Sequence, residues 1–277
     1  MNIGIIGLGL MGGSLGLALK KTPKKYNIIG YDHNKKHQKE ALELNLVDTI
    51  ADDFEQIKSC DVIVLTIPVD AIIKTTQNLQ DIHKDSTIID FGSSKEKIDS
   101  SIPQQIRQNF VTAHPMTGTE KFGPTAAIEG LYDNQIMVVC NQEKSGELQK
   151  RVALDIFADI NAKVTFMEAK EHDRDVAFIS HMPHAVSYAI ANSVMKQEKP
   201  ESIIALAGGG FRSMSRIAKS SPKMWEDIFR QNRSNLLDSL QAFKDEISIC
   251  QKLIEQEEWE NLNQWMSDAN RLHDILE

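Results

Sequence analysis

The stretch Phe110-Val-Thr-Ala-His114-Pro-Met-Thr-Gly-Thr119-Glu120-Lys-Phe-Gly123 sets an imidazole at the end of a short apolar run. Pro115 disfavours helical backbone in the residue before it, so His114 is held extended, and a Gly/Thr-rich turn follows. Open α/β sheets place their chemistry at such strand ends. A neutral imidazole, with an ordinary pKa of about 6.5, suits general-base work. The plainer use of His114 is a strand end whose ring nitrogen is simply hydrogen-bonded. Ser93 closes another apolar run in Asp90-Phe-Gly-Ser-Ser-Lys95 and can meet a ligand, orient the His114 ring, or cap the next helix. Arg212 and Arg216, four apart beside Gly208-Gly-Gly210, look like a carboxylate clamp next to a close-approach loop, since three glycines sit poorly in a helix; for Arg212 a surface acid is the plainer partner, which leaves Arg216 as the clamp. His181 and His184 flank Pro183 on one helical face. No third ligand stands at a sensible spacing, so hydrogen bonding is expected there and no metal.

These side chains need elements that converge on one edge, and the chain begins with one. Residues 2–6 form an apolar strand that runs into Gly7-Leu-Gly9-Leu10-Met11-Gly12, and a helical pattern follows. Strand, GxGxxG and helix together form the context of a dinucleotide-binding turn. Gly7 allows the tight turn, Gly9 lets backbone approach a pyrophosphate, and Gly12 lets the helix pack on the strand. Leu10 and Met11 open the helix, whose free N–H groups and dipole suit phosphates. A second strand, 27–31, ends on Asp32, about 20 residues after Gly12, where a carboxylate can accept from ribose hydroxyls and repel a 2′-phosphate. NAD is therefore expected over NADP, with His33 and Lys36 as cations that soften the preference.

Further apolar runs at 61–68, 86–92, 110–116, 135–140 and 163–167 alternate with helical patterns at 69–79 and 146–160. Such alternation implies a doubly wound sheet with right-handed crossovers. Thr66 and Pro68, Ser93, and His114 then share the edge that holds the glycine turn. From about residue 171 strand patterns cease. A long helix over 171–195 is interrupted by Pro183, which should kink it and free the Ile179 carbonyl. Ser221-Pro222 starts another helix with Trp225 one turn in, and helices over 232–255 and 257–276 carry apolar stripes. The fold class read here is α/β: a Rossmann-type doubly wound sheet domain over 1–168, followed by an all-α domain over 169–277 that dimerises with a second copy.

Composition narrows the partners. At 277 residues, 41% hydrophobic and 25% charged, the chain has enough apolar material for about two domains. A net charge of -8 argues against nucleic acid. Cys60, Cys140 and Cys250 are odd in number and widely spaced, which suits a reducing compartment. No signal-peptide pattern opens the chain and no apolar run approaches membrane-spanning length, so a cytoplasmic protein without membrane contact is expected.

Taken together, Gly7-Leu-Gly-Leu-Met-Gly-Gly-Ser14, Asp90–Lys95, His114–Glu120, His172-Asp173, Ser180-His-Met-Pro-His184 and Gly208–Ala218 make the chain resemble the prephenate dehydrogenase family of tyrosine biosynthesis over nearly its whole length. The resemblance implies NAD-dependent oxidative decarboxylation of prephenate to 4-hydroxyphenylpyruvate. It implies His114 as base, with Ser93 on the same hydroxyl, Arg216 on a substrate carboxylate, and His184 and Ser180 in the pocket. Thr119 belongs to the same motif, and Glu120, His172 and Asp173 match positions linked to pocket access and ionic networks. It also leaves any control by tyrosine to these two domains. The rivals are an arogenate dehydrogenase, a dehydrogenase of β-hydroxyacid layout, and a non-catalytic NAD-sensing dimer. The β-hydroxyacid layout wants a lysine inside the first helix of the second half, where none stands. For the NAD-sensing dimer, His114→Asn would change nothing.

Overall fold

The structure is a computed structural model and describes residues 1–276. It forms two compact units, Met1–Asn232 and the chain from Arg233 onward. The first unit runs β1 (Asn2–Ile6), α1 (Leu10–Lys21), β2 (Asn27–Tyr31), α2 (Lys35–Glu43), β3 (Thr49–Ile50), α3 (Phe54–Lys58), β4 (Val62–Leu65), α4 (Val69–Thr76), β5 (Thr87–Asp90), α5 (Glu96–Ser101), β6 (Phe110–Pro115), β7 (Ile136–Cys140), α6 (Glu147–Asp159) and β8 (Lys163–Met167). It continues with α7 (Ala169–Val176), a π-helical turn at Ala177–His181, α8 (Met182–Met195), α9 (Pro200–Ala205), α10 (Gly209–Ser215) and α11 (Pro222–Gln231).

The eight strands form one sheet in the order β3-β2-β1-β4-β5-β6-β7-β8. Ile3, Ile5, Val62 and Val64 enter one core and Ile6, Ile63 and Leu65 another, all essentially buried. Alternate residues of a strand point to opposite faces, so uninterrupted apolar runs are what a sheet covered on both sides requires. Burying one such side chain is worth about 1.5–3 kcal/mol, which makes these strands the rigid part of the unit. β1, β4, β5 and β6 are parallel, so their carboxyl ends, including His114, share one edge.

β7 runs against the otherwise parallel winding. It pairs antiparallel with β6, Ala113 opposite Val139, and β8 then runs parallel to β7. The cause is the connection: residues 116–135 carry no crossover helix, only a 3₁₀ turn at Pro124–Ala126, so the chain simply turns back. The second unit pairs α12 (Arg233–Glu255) with α13 (Trp259–Leu276) through a turn at Glu257, φ 56°, and Trp265 Nε1 donates to Glu246 at 2.8 Å. It exposes Ile247, Ile254, Trp259, Met266 and Leu272. No helix among the described residues is long and apolar enough to cross a membrane.

Candidate active site

The glycine turn is built tightly on two sides and openly on the third. Gly7 has φ +97°, and a Cβ there would lie 2.6 Å from the Thr66 carbonyl; at Gly12 it would fall on the Gly7 carbonyl. At Gly9 the nearest atom would be 3.9 Å away, on Gly123. α1 starts after Gly9 with no side-chain cap, so the N–H groups of Leu10 and Met11 have no intrahelical acceptor. Thr66 Oγ1 donates to the Gly7 carbonyl at 2.6 Å and ties the end of β4 to this turn. Asp32 is buried; its oxygens accept from Leu8 N at 2.9 Å and Asn34 N at 2.8 Å, with the His33 and His37 rings 3.4 Å away. An open Gly9, unpaired helix-start N–H groups and a fixed carboxylate at the end of β2 fit a dinucleotide.

His114 is organised from behind. Its Nδ1 lies 2.8 Å from His172 Nε2, and His172 Nδ1 lies 2.8 Å from Asp173 Oδ1. The carboxylate of Asp173 also accepts the backbone N–H groups of Lys95 at 2.7 Å and Glu96 at 2.9 Å, so it caps the start of α5. A carboxylate only accepts, so His172 carries its proton on Nδ1 and offers a bare Nε2. His114 must then donate from Nδ1, which leaves the lone pair of its own Nε2 free. Burial holds His114 well below the ordinary imidazole range, with the charges of neighbouring His172 and Lys95 adding to it. Burial lowers His172 as well, against the opposing pull of Asp173. Lys95 is fully buried, paired with Asp90, and donates to the Ala113 carbonyl at 2.6 Å, fixing the backbone beside His114.

Two expectations for Ser93 change here. α5 begins at Glu96, so the helix cap comes from the distant Asp173 rather than from Ser93. The His114 ring is oriented by His172, which leaves the Ser93 hydroxyl for the cleft.

The helical wall forms around Pro183. The helix takes a π turn just before it, Met182 N reaching back to the Ala177 carbonyl, as a proline that removes one backbone donor should cause. The carbonyl taken up by a side chain is that of Ser180, not of Ile179: His184 Nδ1 lies 2.9 Å from it. His184 stacks on Trp225 at 3.5 Å and 23°. His181 is buried and meets Asn232, which also donates to the Asp173 carbonyl at 2.6 Å. Burial pushes His181 down to about 4 and lowers His184 too.

The three glycines do not make a close-approach loop. Gly208 caps α10 and Gly209-Gly210 are its first turn, where N–H groups need no intrahelical partner, and nothing lies within 4 Å of their Cβ positions. Arg212 therefore falls inside α10, where its Nε donates to the Ala207 carbonyl at 3.2 Å. Arg216 starts the following 3₁₀ turn and meets Glu120 at 3.2 Å. Arg212 thus meets a backbone carbonyl where a surface acid was expected, and of the two arginines only Arg216 lines the cleft.

The cleft, about 600 Å³, lies within the first unit. It brings together Gly9, Leu10, Met11, Thr66, Pro68, Ser93, His114, Thr119, Glu120, Ser180, His184 and Arg216. Gly7, Gly12 and Asp32 shape the turn from behind its surface. Trp225, whose part in this wall the sequence did not disclose, lines it too. The segment 116–123 forms one side, and the chain beyond it is pinned over α1 by Ile128 N on Ser14 Oγ at 2.9 Å and Tyr132 Oη on the Met11 carbonyl at 2.6 Å.

Comparison with known proteins places this arrangement. Residues 15–166 match the family described as prephenate dehydrogenase, nucleotide-binding domain, and residues 168–268 match prephenate dehydrogenase, dimerization domain. The chain belongs to the prephenate dehydrogenase family. It is 33% identical to prephenate dehydrogenase of Bacillus subtilis, over 98% of this chain and 75% of that one. The solved prephenate dehydrogenase of Aquifex aeolicus, in complex with hydroxyphenyl propionate and NAD+, is 28% identical with a TM-score of 0.93, covering 100% of this chain and 98% of that one. Synechocystis arogenate dehydrogenase is 27% identical with a TM-score of 0.82, covering both chains in full. This family member is thus an oxidoreductase with a Rossmann-type sheet followed by helices. The glycine turn at 7–12 precedes the first matched residue, so its assignment rests on its geometry.

Proposed function

We propose that the chain is an NAD-dependent prephenate dehydrogenase, turning prephenate into 4-hydroxyphenylpyruvate and carbon dioxide. One observation carries the reading: a bare His114 Nε2, fixed by Asp173 through His172, in the cleft that begins at an open dinucleotide turn. NAD, when bound, supplies the acceptor for the hydride leaving C4. His114 takes the 4-hydroxyl proton as the carbonyl forms and returns it to the same oxygen once carbon dioxide has left and the ring is aromatic. Its lowered pKa keeps it unprotonated at neutral pH. Ser93 hydrogen-bonds the hydroxyl, Arg216 exchanges Glu120 for a substrate carboxylate, and Ser180, His184 and Thr119 shape the pocket. Loss of the ring carboxylate is driven by aromatisation, so positioning is the main contribution of the protein.

Functionally we divide the chain at 168/169, a reading supported by the two family matches. A homodimer through the helical part is supported by the description of residues 168–268, and a cytoplasmic location accompanies a pathway of small metabolites. The test measures NADH and NADPH formation from prephenate and from arogenate. Prephenate with NAD should give the highest kcat/KM. A preference for arogenate by an order of magnitude would transfer the assignment to that substrate.

A further inference from the structure

The glycine turn brings no cation of its own to the dinucleotide it is shaped for. Residues 7–14 carry no charged side chain. The first cations of α1, Lys20 and Lys21, stand in its last turn and are paired with Asp48 and Glu129. The pyrophosphate of NAD is doubly negative, the chain itself stands at -8, and a helix start offers only about half an elementary charge. Further positive charge has to come from elsewhere in the cleft.

Two lysine or arginine side chains line that cleft, Arg216 and Lys121. Arg216 is paired with Glu120 at 3.2 Å. Lys121 is exposed and has no ion-pair partner among the described residues, so it can take up an anion without breaking an existing pair. Its place along the chain is the right one. Two residues on, Gly123 supplies the only atom near a Cβ built at Gly9, its N at 3.9 Å, and two residues span at most about 7 Å. Gly123 has φ +82°, a conformation glycine holds without strain, and its own Cβ position lies 4.0 Å from Nε2 of His37, the ring beside Asp32. The 3₁₀ turn that follows is buried and packs on α1 and α2, and Ile128 N is bonded to Ser14 Oγ. The root of Lys121 is therefore held beside the start of α1, while its flexible stem leaves the ammonium free to swing onto a charge. Resting on the dinucleotide reading of the glycine turn, we propose that Lys121 pairs with the pyrophosphate of bound NAD and is the cation this turn lacks. Adjacent residues then divide the cleft between them, Glu120 serving the Arg216 end and Lys121 the cofactor end.

Calorimetric titration of the whole protein with NADH, and of the NAD-saturated protein with 4-hydroxyphenylpyruvate, tests this. Lys121→Met, which keeps the stem and removes the charge, should weaken NADH binding about threefold to tenfold and leave 4-hydroxyphenylpyruvate unaffected. Lys121→Arg should bind NADH within about twofold of the unaltered protein. Raising salt from about 0.05 M to about 0.5 M should weaken NADH binding more in the unaltered protein than in the methionine variant. Unchanged NADH binding in Lys121→Met, a loss shared equally with 4-hydroxyphenylpyruvate or confined to it, an arginine variant as weak as the methionine one, or equal salt sensitivity would overturn the proposal. Those outcomes in a protein that binds NADH defeat this inference alone; an unaltered protein that does not bind NADH defeats the dinucleotide reading instead.

Discussion

Two parts of one cleft handle charge in opposite ways. At His114, three side chains and two backbone N–H groups form a buried line in which every proton has one possible place. At Arg216, one exposed guanidinium meets one partly exposed carboxylate, and water competes for both. Burial makes the first a device for fixing protonation. Exposure makes the second a pair that can be exchanged for a substrate carboxylate at little cost. The same chemical groups serve as machinery or as an exchangeable contact according to how much water reaches them.

The contrast can be broken first at its buried end. His114→Asn should lower kcat by roughly 100- to 10,000-fold, the usual worth of a positioned base, with the KM for NAD little changed. His172→Gln should cost about tenfold to a hundredfold and move the acid limb of the kcat/KM profile upward, because a lowering influence on His114 is removed. A profile that does not move would reduce His172 to packing.

At the exposed end, Arg216→Ala should raise the KM for prephenate by about 10- to 100-fold while that for NAD stays put, in keeping with loss of a charge-assisted contact. Glu120→Gln should change the same KM by no more than about threefold. Equal effects of the two substitutions would erase the distinction between clamp and counter-ion.

The smallest effect concerns stability. His114, His172, His181 and His184 all titrate below the ordinary range when folded, mainly through burial. Below about pH 6.5 the unfolded chain therefore binds more protons than the folded one, so stability is full above that pH and is lost as pH falls. Scanning calorimetry should show Tm dropping by about 3–8 °C between pH 7.5 and 5.5. A flat or rising Tm would mean that the four rings are less enclosed than they stand here.

How far the sequence disclosed this site depended on the range of the interaction. β1, β2 and β8 could be read to the residue because apolar runs and turn residues are local signals. His114 stood out because Pro115 and the glycines after it are its immediate neighbours. Its partner His172 lies 58 positions away, and no spacing rule links them; only the resemblance marked His172-Asp173 as a unit. The direction of β7 was hidden for a similar reason, since a missing crossover helix leaves no residue to notice. At Gly208–Gly210 propensity misled: a helix start tolerates glycine where a helix interior does not, and composition cannot tell the two apart. Trp225 was readable as a helix residue, but its stack on His184 exists only once α8 and α11 have packed.

The reversed strand β7 has an architectural consequence. A parallel neighbour would have committed the chain after β6 to a covering helix on the outside of the sheet. Turning back released that length, and residues 116–135 lie instead across the start of α1, touching Ser14 and Met11 while presenting Thr119 and Glu120 to the cavity. Because both ends of this canopy are anchored in strands whose pairing does not depend on it, evolution can respell or resize it, and so alter what the enzyme admits, without rebuilding the sheet beneath.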